Sequence, residues 1–449
     1  MLAACAPFPR ASVPHRPAWQ PHGVVPVPGA APLPAARGCV AIPALQALLA
    51  QAMRANPALA LAAARVRRAR AAVRLAQGGG RLHLHLAAGI TAEHFAADGL
   101  AGAANGHSFL YTVLNPVVGR WHLTQFGRVD RAVEAAIGQA KAAAAAQREA
   151  DLVVTTAVSK TYFAASGLVA QEAVRRRQLG LNEAQVRIAR LRYEDGLSGA
   201  EPVYEAEEGA QKAREDYAAV RASLGDLRDA LAALVGRGPR FGAAITIAPL
   251  PKGADLPLPA HIRLARLARR PDVRSARWLV VAAAARVGAA RAAFYPNIDV
   301  AFFAGWNSVS LGDLLSPANF AHAVGPVVTL PIFEGGTLRA RLTHSEAVFA
   351  QAQAHYQATV LQAVREVADG VTAWRREHRD RVWAERSVAA AQRAYAVAQN
   401  AYAAGLTNRL AVVLAGQALW RQRLVTIRRR TAQAMTWAGL WEAMGGYGR

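Results

Sequence analysis

Few residues in this chain have the type and spacing that metal binding or catalysis requires. His83 and His85 are separated by one residue, so both imidazoles would lie on one face of a strand and could bind a metal ion. Two ligands are too few for a closed zinc site. The two cysteines, Cys5 and Cys39, lack the CxxC spacing that would add further ligands. We therefore expect no metal site and treat the histidines as ordinary strand residues.

Catalytic motifs are also missing from the sequence. It contains no phosphate-binding loop, HExxH motif, GxSxG motif or cysteine–histidine pair. Asp226 and Asp229 flank Arg228 on a predicted helix, which is typical of a solvated helix face. The formal net charge of +23 comes almost wholly from arginines scattered over helix faces, without a nucleic-acid-reading module. We expect no enzyme activity, no cofactor and no nucleic-acid binding.

The elements that would position any site occur twice. A proline-marked helix, two strand-like stretches, a long proline-free helix and a returning helix run from about residue 44 to 236, and again from about 260 to 442. Gly127 and Gly335 are 208 residues apart, and Gly196 and Gly405 are 209 apart. This constant spacing indicates duplication of a whole strand-and-helix unit.

The absence of proline predicts two very long helices, over about 127–195 and 336–403. Each would measure on the order of 100 Å. In the second, valines recur every three or four residues from Val360 to Val371, which predicts a coiled-coil seam. At His378, Arg381 and Glu385 the seam becomes polar, and we expect something other than the neighbouring helix to pack there.

Each long helix is predicted to reverse at a glycine and return as a shorter helix. Gly196 and Gly405 stand where a left-handed helix cap is needed. The returning helices, about 203–235 and 408–442, are near half the length of the outgoing ones. We expect a second short helix to complete each pairing, from 44 to 76 in the first copy and from 260 to 293 in the second.

Apolar residues alternate with small or polar ones in the strand candidates. The predicted strands lie near 82–90, 108–123, 298–307 and 324–330. Four strands cannot close a barrel, and open strand edges are not tolerated in lipid. Three copies would supply twelve strands. Runs without charge, such as 314–333, are interrupted by prolines, so no helix is predicted to span a membrane.

The N-terminus resembles a lipoprotein signal. Leu2, Ala3 and Ala4 precede Cys5, which would be acylated. The basic and apolar regions that should lie upstream are missing, which suggests a start codon assigned too late. Residues 6–38 are rich in proline, as in an extended linker. A Cys5–Cys39 disulfide is the alternative use of the two cysteines.

Three segments and two turns together resemble the outer membrane efflux protein family, the TolC-type trimeric exit ducts, and within it the NodT-type lipoprotein subgroup. These are Ala268–Arg274, Ala292–Ile298, Leu330–Gly336 and the two Tyr-x-x-Gly-Leu turns. The resemblance covers residues 40–442. It implies a homotrimer with a 12-stranded barrel in the outer membrane and a 12-helix tunnel across the periplasm. The fold class is thus an α+β membrane protein with duplicated helical hairpins and two β-hairpins.

The resemblance also implies a function. The trimer would be the passive exit duct of a tripartite efflux system that removes drugs or toxic organic molecules, and so would contribute to multidrug resistance. Its implied partners are an inner-membrane pump, a periplasmic adaptor and, through palmitate on the lipoprotein cysteine, membrane lipid. The alternatives are a periplasmic adaptor, which would have one helical hairpin rather than two, and a coiled-coil scaffold, which leaves the strands unexplained.

Site residues follow from the same resemblance. The turns that would contact the adaptor are Gly196, Leu197, Ser198, Gly405, Leu406, Thr407 and Asn408. A second interpretation is that the glycines only cap the helices and the leucines only seal the turns.

The chain departs from the family pattern in two places. The segment Trp121–Gly127 has no acidic residue, and Ala411 stands where a carboxylate often follows the second turn. Three copies of such a carboxylate would favour cations. An acidic gate would therefore have to come from the first turn, where the sequence offers Glu194, Asp195, Glu201 and Glu205.

The predicted domain division has five parts. Residues 1–39 are a truncated signal remnant and linker, 40–238 the first repeat, 239–259 a linker, 260–442 the second repeat and 443–449 a tail.

Overall fold

The structure is a computed structural model that describes residues 24–26, 42–98, 102–123, 126–250, 256, 258 and 261–446. Cys5 and Cys39, and with them the predicted lipidation and disulfide, lie outside the described residues. So does the tail from residue 447.

The elements occur in the duplicated order that the sequence predicts. The first series is β1 (Val24–Pro26), α1 (Pro43–Ala55), α2 (Pro57–Gly78), β2 (Leu82–His94), β3 (Ser108–Leu123), α3 (Arg128–Glu194) and α4 (Glu201–Leu234). After α5 (Pro239–Ala244) and β4 (His261–Arg263), the second series is α6 (Pro271–Ala292), β5 (Asn297–Ser308), β6 (Phe320–Thr329), α7 (Thr337–Ala403) and α8 (Arg409–Ala443). Short 3-10 turns cover Gly102–Ala104, Leu264–Arg269 and Pro317–Asn319.

The long helices confirm the prediction from proline spacing. Helices α3 and α7 each contain 67 residues, and the returning α4 and α8 contain 34 and 35. The predicted continuous short helices are wrong. Residues 43–78 form two helices, because the residue before Pro57 is disfavoured in helical conformation and Asn56 is extended. In the second copy only α6, from Pro271, is an α-helix within 260–293.

The chain divides into two compact units, each built from both copies. The first, here the strand unit, contains the described parts of Arg65–Ala144 and Ser275–Gln357. The second, here the helical unit, contains the described parts of Ala18–Ala64, Ala145–Arg274 and Ala358–Arg449. The five-part domain division stays a prediction.

The strand unit contains one antiparallel sheet of order β2-β3-β5-β6. Register shifts occur between His85 and Ala87 in β2, and between Leu114 and Val117 in β3. An extra residue in a strand moves the following side chains to the opposite face. These shifts are the reason why the alternation in β3 is irregular in sequence.

The helical unit has its core between long and returning helices. Phe163 of α3 meets Trp437 of α8 edge-on, with ring centroids 6.2 Å apart. The predicted valine seam of α7 is confirmed, since Val360, Val367 and Val371 are buried. Burial of such a seam is what holds a long amphipathic helix in place.

The expectation for the polar part of the seam is wrong at Glu385. The returning helix α8 itself supplies the partners there. Arg430 donates a hydrogen bond to Glu385 at 3.0 Å, and Arg429 lies 3.3 Å from Asp380. These arginines complement acids on α7, so the neighbouring helix supplies ion-pair partners for Glu385 and Asp380.

Within the described residues, α3 alone contains a window long and apolar enough to cross a membrane by length and composition. The sequence did not predict such a window. Half of it is buried inside the protein, as in the core helix of a soluble protein. We treat α3 as a core helix.

Candidate functional site

One face of the sheet is apolar and exposed. Paired residues on neighbouring strands point to the same face, and the register places β2 leucines beside Trp121, Val300 and Phe302. The large side chains of this face that are exposed are Leu82, Leu84, Leu86, Ile90, Leu110, Val117, Trp121, Phe320, Val324 and Val328. His322 also lies on this face and is its polar exception. An exposed surface that is otherwise apolar is typical of contact with lipid or a partner.

The opposite face carries polar side chains. His83 and Arg120 are paired across β2 and β3, and His122 and Asp299 are paired across β3 and β5. His122 Nδ1 lies 2.8 Å from Asp299 Oδ1. The same face also carries Val327, so it is mixed and not wholly polar. A sheet with one apolar face and one face that carries polar groups suits a wall between lipid and water.

The structure does not bring metal ligands together at His83 and His85. The Nε2 atom of His83 lies 3.0 Å from the carbonyl oxygen of Gly78. Among the described residues, no group of three His, Cys, Asp or Glu side chains could hold a metal ion.

Both outer strands of the sheet have an unpaired edge. Within the described residues, β2 pairs only with β3, and β6 pairs only with β5. The unpaired N–H and C=O groups of β2 and β6 would be unsatisfied in a hydrocarbon layer, where each costs several kcal/mol. A further strand must pair with each edge before the apolar face can enter lipid.

The turn between α3 and α4 has the geometry of a glycine helix cap. Gly196 has a φ of 69°. Its N–H donates to the carbonyl of Tyr193 at 3.0 Å, and the N–H of Leu197 donates to that of Arg192 at 2.7 Å. This hydrogen-bond pair satisfies the last carbonyls of the helix.

The turn between α7 and α8 repeats the same cap. Gly405 has a φ of 71°, and the N–H of Leu406 donates to the carbonyl of Ala401 at 2.8 Å. Asn408 then starts α8, because its side-chain oxygen accepts from the N–H of Ala411 at 3.2 Å. The preference for asparagine at helix N-caps could have revealed this role in the sequence.

The turn leucines do not seal their turns. Leu197 is 68% exposed and Leu406 is 82% exposed. Ser198 and Thr407 beside them are half-buried. The core below the first turn is formed instead by Ala189, Val203 and Ala206. The turns therefore present apolar side chains that no described residue covers.

The four predicted gate acids lie around the first turn, and all are exposed. Glu194 and Asp195 end α3, and Glu201 and Glu205 lie one helical turn apart at the start of α4. No side-chain ion pair joins any of them to another described residue. The second turn has no equivalent, since residues 386–441 contain no acid.

A buried charge cluster in the helical unit was missed by the sequence reading. Arg270, 6% exposed, donates hydrogen bonds to Asp272 at 2.8 Å, to Glu366 at 2.7 Å and to the carbonyl of Ala443 at 2.6 Å. Although burial lowers the pKa of Arg270, its hydrogen bonds to Asp272 and Glu366 and their charges raise it overall. Arg270 belongs to Ala268–Arg274, one of the segments that resemble the family. That resemblance is the only feature of the sequence that draws attention to Arg270.

Glu149 of α3 lies beside this cluster. Burial, followed by the negative charge of Asp272, raises the pKa of Glu149 to about 7. Its Oε2 atom is buried and has no hydrogen-bond partner among the described residues. Nothing in the sequence around Glu149 indicated this environment, because its neighbours are more than a hundred residues away.

A duplicated chain with one two-faced sheet and two equal helical hairpins has the architecture of an outer membrane channel protomer. The outer membrane protein VceC from Vibrio cholerae has the same fold, with a TM-score of 0.81 and 29% sequence identity. The match covers 90% of this chain and 96% of VceC.

The model of the family described as "Outer membrane efflux protein" matches residues 48–237 and 264–446, and the chain belongs to that family. The multidrug resistance outer membrane protein MdtP of Escherichia coli O6:H1 is 28% identical over 315 residues, which is 70% of this chain and 64% of MdtP. The toluene efflux pump outer membrane protein TtgC of Pseudomonas putida is 28% identical over 332 residues, 73% of this chain and 68% of TtgC. The chain thus spans just under two thirds of the MdtP length.

Proposed function

We propose that this chain is the exit channel of a tripartite efflux system in the outer membrane. Three copies close a 12-stranded barrel in the membrane, and their helical hairpins form a 12-helix tunnel in the periplasm. The channel conducts passively and has no catalytic step. An inner-membrane pump drives export, and a periplasmic adaptor connects the two.

The single observation that carries this proposal is the sheet. Its apolar face suits lipid, its polar face suits water, and its two open edges require further strands. Two more copies satisfy this need, because β6 of one copy can pair with β2 of the next until the ring closes. The adaptor and scaffold alternatives provide no role for such a sheet.

The relatives support a cargo of small organic molecules. MdtP is named for multidrug resistance and TtgC for toluene efflux. We propose the same broad class of cargo for this chain. The polar sheet face contains few charges, which suits weak contact with many solutes rather than tight binding of one.

We further propose that the two turns contact the adaptor. Leu197 and Leu406 are exposed apolar side chains held by rigid glycine caps. An apolar anchor on a pre-organised turn costs little conformational entropy when it enters a pocket of a partner. The same contact would depend on the other residues that shape these turns, which are Gly196, Ser198, Gly405, Thr407 and Asn408.

The lipid anchor remains part of the proposal. Acylation of Cys5 would hold the N-terminus at the periplasmic face of the outer membrane, as in NodT-type lipoproteins. Several acyl chains on one cysteine would make this attachment durable, since each buried methylene contributes about 0.8 kcal/mol.

The test is to express the chain behind a complete lipoprotein signal in a Gram-negative host that lacks its own exit channel. Membranes are separated, and unheated samples are run for trimers. We expect outer-membrane trimers and restored resistance to toxic organic compounds. A periplasmic monomer would contradict the channel. Trimers that persist when Cys5 is changed to Ala would contradict only the need for the anchor.

A further inference from the structure

The sheet has basic residues at one of its two ends only. The sequence has no lysine or arginine from residue 82 to 119 or from 297 to 338. The end where β2 leads to β3 and β5 leads to β6 has the exposed acids Glu93, Asp98 and Asp313 beside His94 and His107, and no lysine or arginine. The other end, where strands meet helices, is flanked by arginines on several elements.

All four strand–helix junctions lie at this second end. Strands β2 and β5 begin there and β3 and β6 finish there, as the pairing of Leu82 with Trp121 and of Asn297 with Thr329 shows. Several exposed arginines lie close to these junctions. Arg120 shares the polar sheet face with His83. We name four others the boundary arginines: Arg81, Arg128, Arg339 and Arg341.

The boundary arginines have no ion pair with any other described residue. Nearby charges are already matched, since Arg131 pairs with Glu134 and Arg291 with Glu346. Asp130 and Glu334 are the exposed acids of this end without an ion pair in the described part of the chain. The end therefore keeps an excess of unmatched positive charge.

Exposed apolar side chains accompany the arginines. Ile332 is 93% exposed and Phe333 is 89% exposed, in the segment that joins β6 to α7. Large apolar side chains beside cationic ones are typical of a protein surface at the level of lipid headgroups. Arg341 lies four residues into α7, about 6 Å along the helix, which is within the thickness of one headgroup layer.

We propose that the boundary arginines bind the headgroups of anionic phospholipids in the periplasmic leaflet of the outer membrane. Positive charge with no partner inside the protein, next to apolar side chains that suit the acyl region, is complementary to a phosphate above a hydrocarbon layer. Each arginine is expected to contribute about fivefold to the preference for an anionic lipid. The inference rests on the proposed insertion of the sheet into the outer membrane.

The experiment counts the lipids that bind the purified full-length protein. Detergent-extracted protein is mixed with equal amounts of phosphatidylglycerol and phosphatidylcholine, and bound phospholipids are identified by native mass spectrometry. We expect the wild-type protein to retain phosphatidylglycerol at least about tenfold over phosphatidylcholine. The combined variant Arg81→Gln, Arg128→Gln, Arg339→Gln and Arg341→Gln loses this preference, and the equivalent four-lysine variant keeps it.

A matched control removes three exposed, unpaired arginines of the helical unit, by Arg187→Gln, Arg386→Gln and Arg393→Gln. It should keep the lipid preference. The wild-type preference should also vanish at about 1 M salt, where the screening length falls to about 3 Å. This measurement needs no variant, so a preference that survives 1 M salt would contradict electrostatic binding even if the glutamine variant does not assemble.

Three further outcomes would overturn the inference. Wild-type trimers without lipid preference, or a preference that survives the glutamine changes, exclude binding by these arginines. Loss of trimers in both the glutamine and the lysine variants would show that the arginines contact a second copy of the chain instead. Absence of wild-type trimers in every lipid would contradict the proposed function itself.

Discussion

Glu149 is a residue whose charge opposes folding. Burial and Asp272 raise its pKa from 4.5 to about 7, so the folded protein disfavours the ionised carboxylate. Below about pH 4.5 the group is neutral in both the folded and unfolded states and has no effect on stability. As the pH rises towards 7, ionisation destabilises the folded state, and the full penalty is present above that pH.

Replacing Glu149 should therefore stabilise the protein, and more so at high pH. For Glu149→Gln we expect a midpoint of thermal unfolding at pH 8 about 2 °C higher than that of the wild type, and almost no gain at pH 4. The measurement is circular dichroism during heating at both pH values. Glu208→Gln, which changes an exposed acid of the same unit, should have no effect at either pH. Equal effects of Glu149→Gln at the two pH values would contradict a raised pKa.

Residue-level chemistry was the part least accessible to sequence reasoning. The exposure of Glu194 and Leu406 could be predicted, because both flank a turn between helices. The buried Arg270–Asp272–Glu366 cluster could not, because Glu366 is 96 residues from Arg270 in sequence. Side-chain environments that depend on the packing of distant helices leave no local pattern in the chain.

At the scale of elements, the caps at the two turns hold their leucines outward. If the turn docks an adaptor, Leu406→Asp should abolish export while leaving the trimer intact, because it places a charge in an apolar contact. Drug resistance of a complemented host measures export, and unheated electrophoresis measures assembly. Leu311→Asp changes another exposed leucine, in the β5–β6 connection, and should preserve resistance. Loss of the trimer in Leu406→Asp would favour a purely structural turn.

The sheet offers a second prediction for an element. A Cβ at Gly305 of β5 would lie 2.4 Å from the carbonyl oxygen of Leu114 in β3, beside the register shift. Gly305→Ala must push the two strands apart, so we expect destabilisation by about 1–3 kcal/mol and a lower yield of heat-resistant trimers.

Gly325→Ala is the matched control for this change. Gly325 lies in β6 of the same sheet, and a Cβ there would meet nothing within 4 Å. If the two alanine variants give the same trimer yield, the close approach of β3 and β5 at Gly305 does not determine the stability of the sheet.

Elements were the scale at which sequence reasoning succeeded best. The positions of Gly196, Gly405 and the prolines sufficed to place α3, α4, α7 and α8 within one or two residues. Sequence reasoning failed where the environment of a residue depends on which distant helix packs against it. The partner of Glu385 cannot be predicted from sequence alone, because nothing in the sequence aligns Arg429 or Arg430 of α8 with it.

At the scale of the whole molecule, the two helical hairpins differ in charge. The first turn has four exposed acids, whereas residues 386–441 have none. In the proposed trimer, three copies bring twelve carboxylates to one end of the tunnel. A ring of carboxylates at a constriction favours cations over anions.

Neutralising these acids should reduce the cation preference of the channel. We expect the permeability ratio of potassium to chloride to fall towards one for the combined variant Glu194→Gln, Asp195→Asn, Glu201→Gln and Glu205→Gln. Reversal potentials across planar bilayers under a salt gradient give this ratio. Glu215→Gln, which changes an acid in an exposed ion pair with Lys212, should leave it unchanged. An unaltered ratio in the combined variant would exclude these acids from the gate.

The unpaired edges of β2 and β6 also govern how the proposed channel would form. A single copy has no stable way to enter the bilayer, so insertion and association must be one event rather than two steps in sequence. At low expression the amount of inserted channel should then rise with about the third power of the amount of free chain. The cell would hold little channel below a threshold of synthesis, and free copies below that threshold would be exposed to edge-to-edge aggregation and to periplasmic proteases.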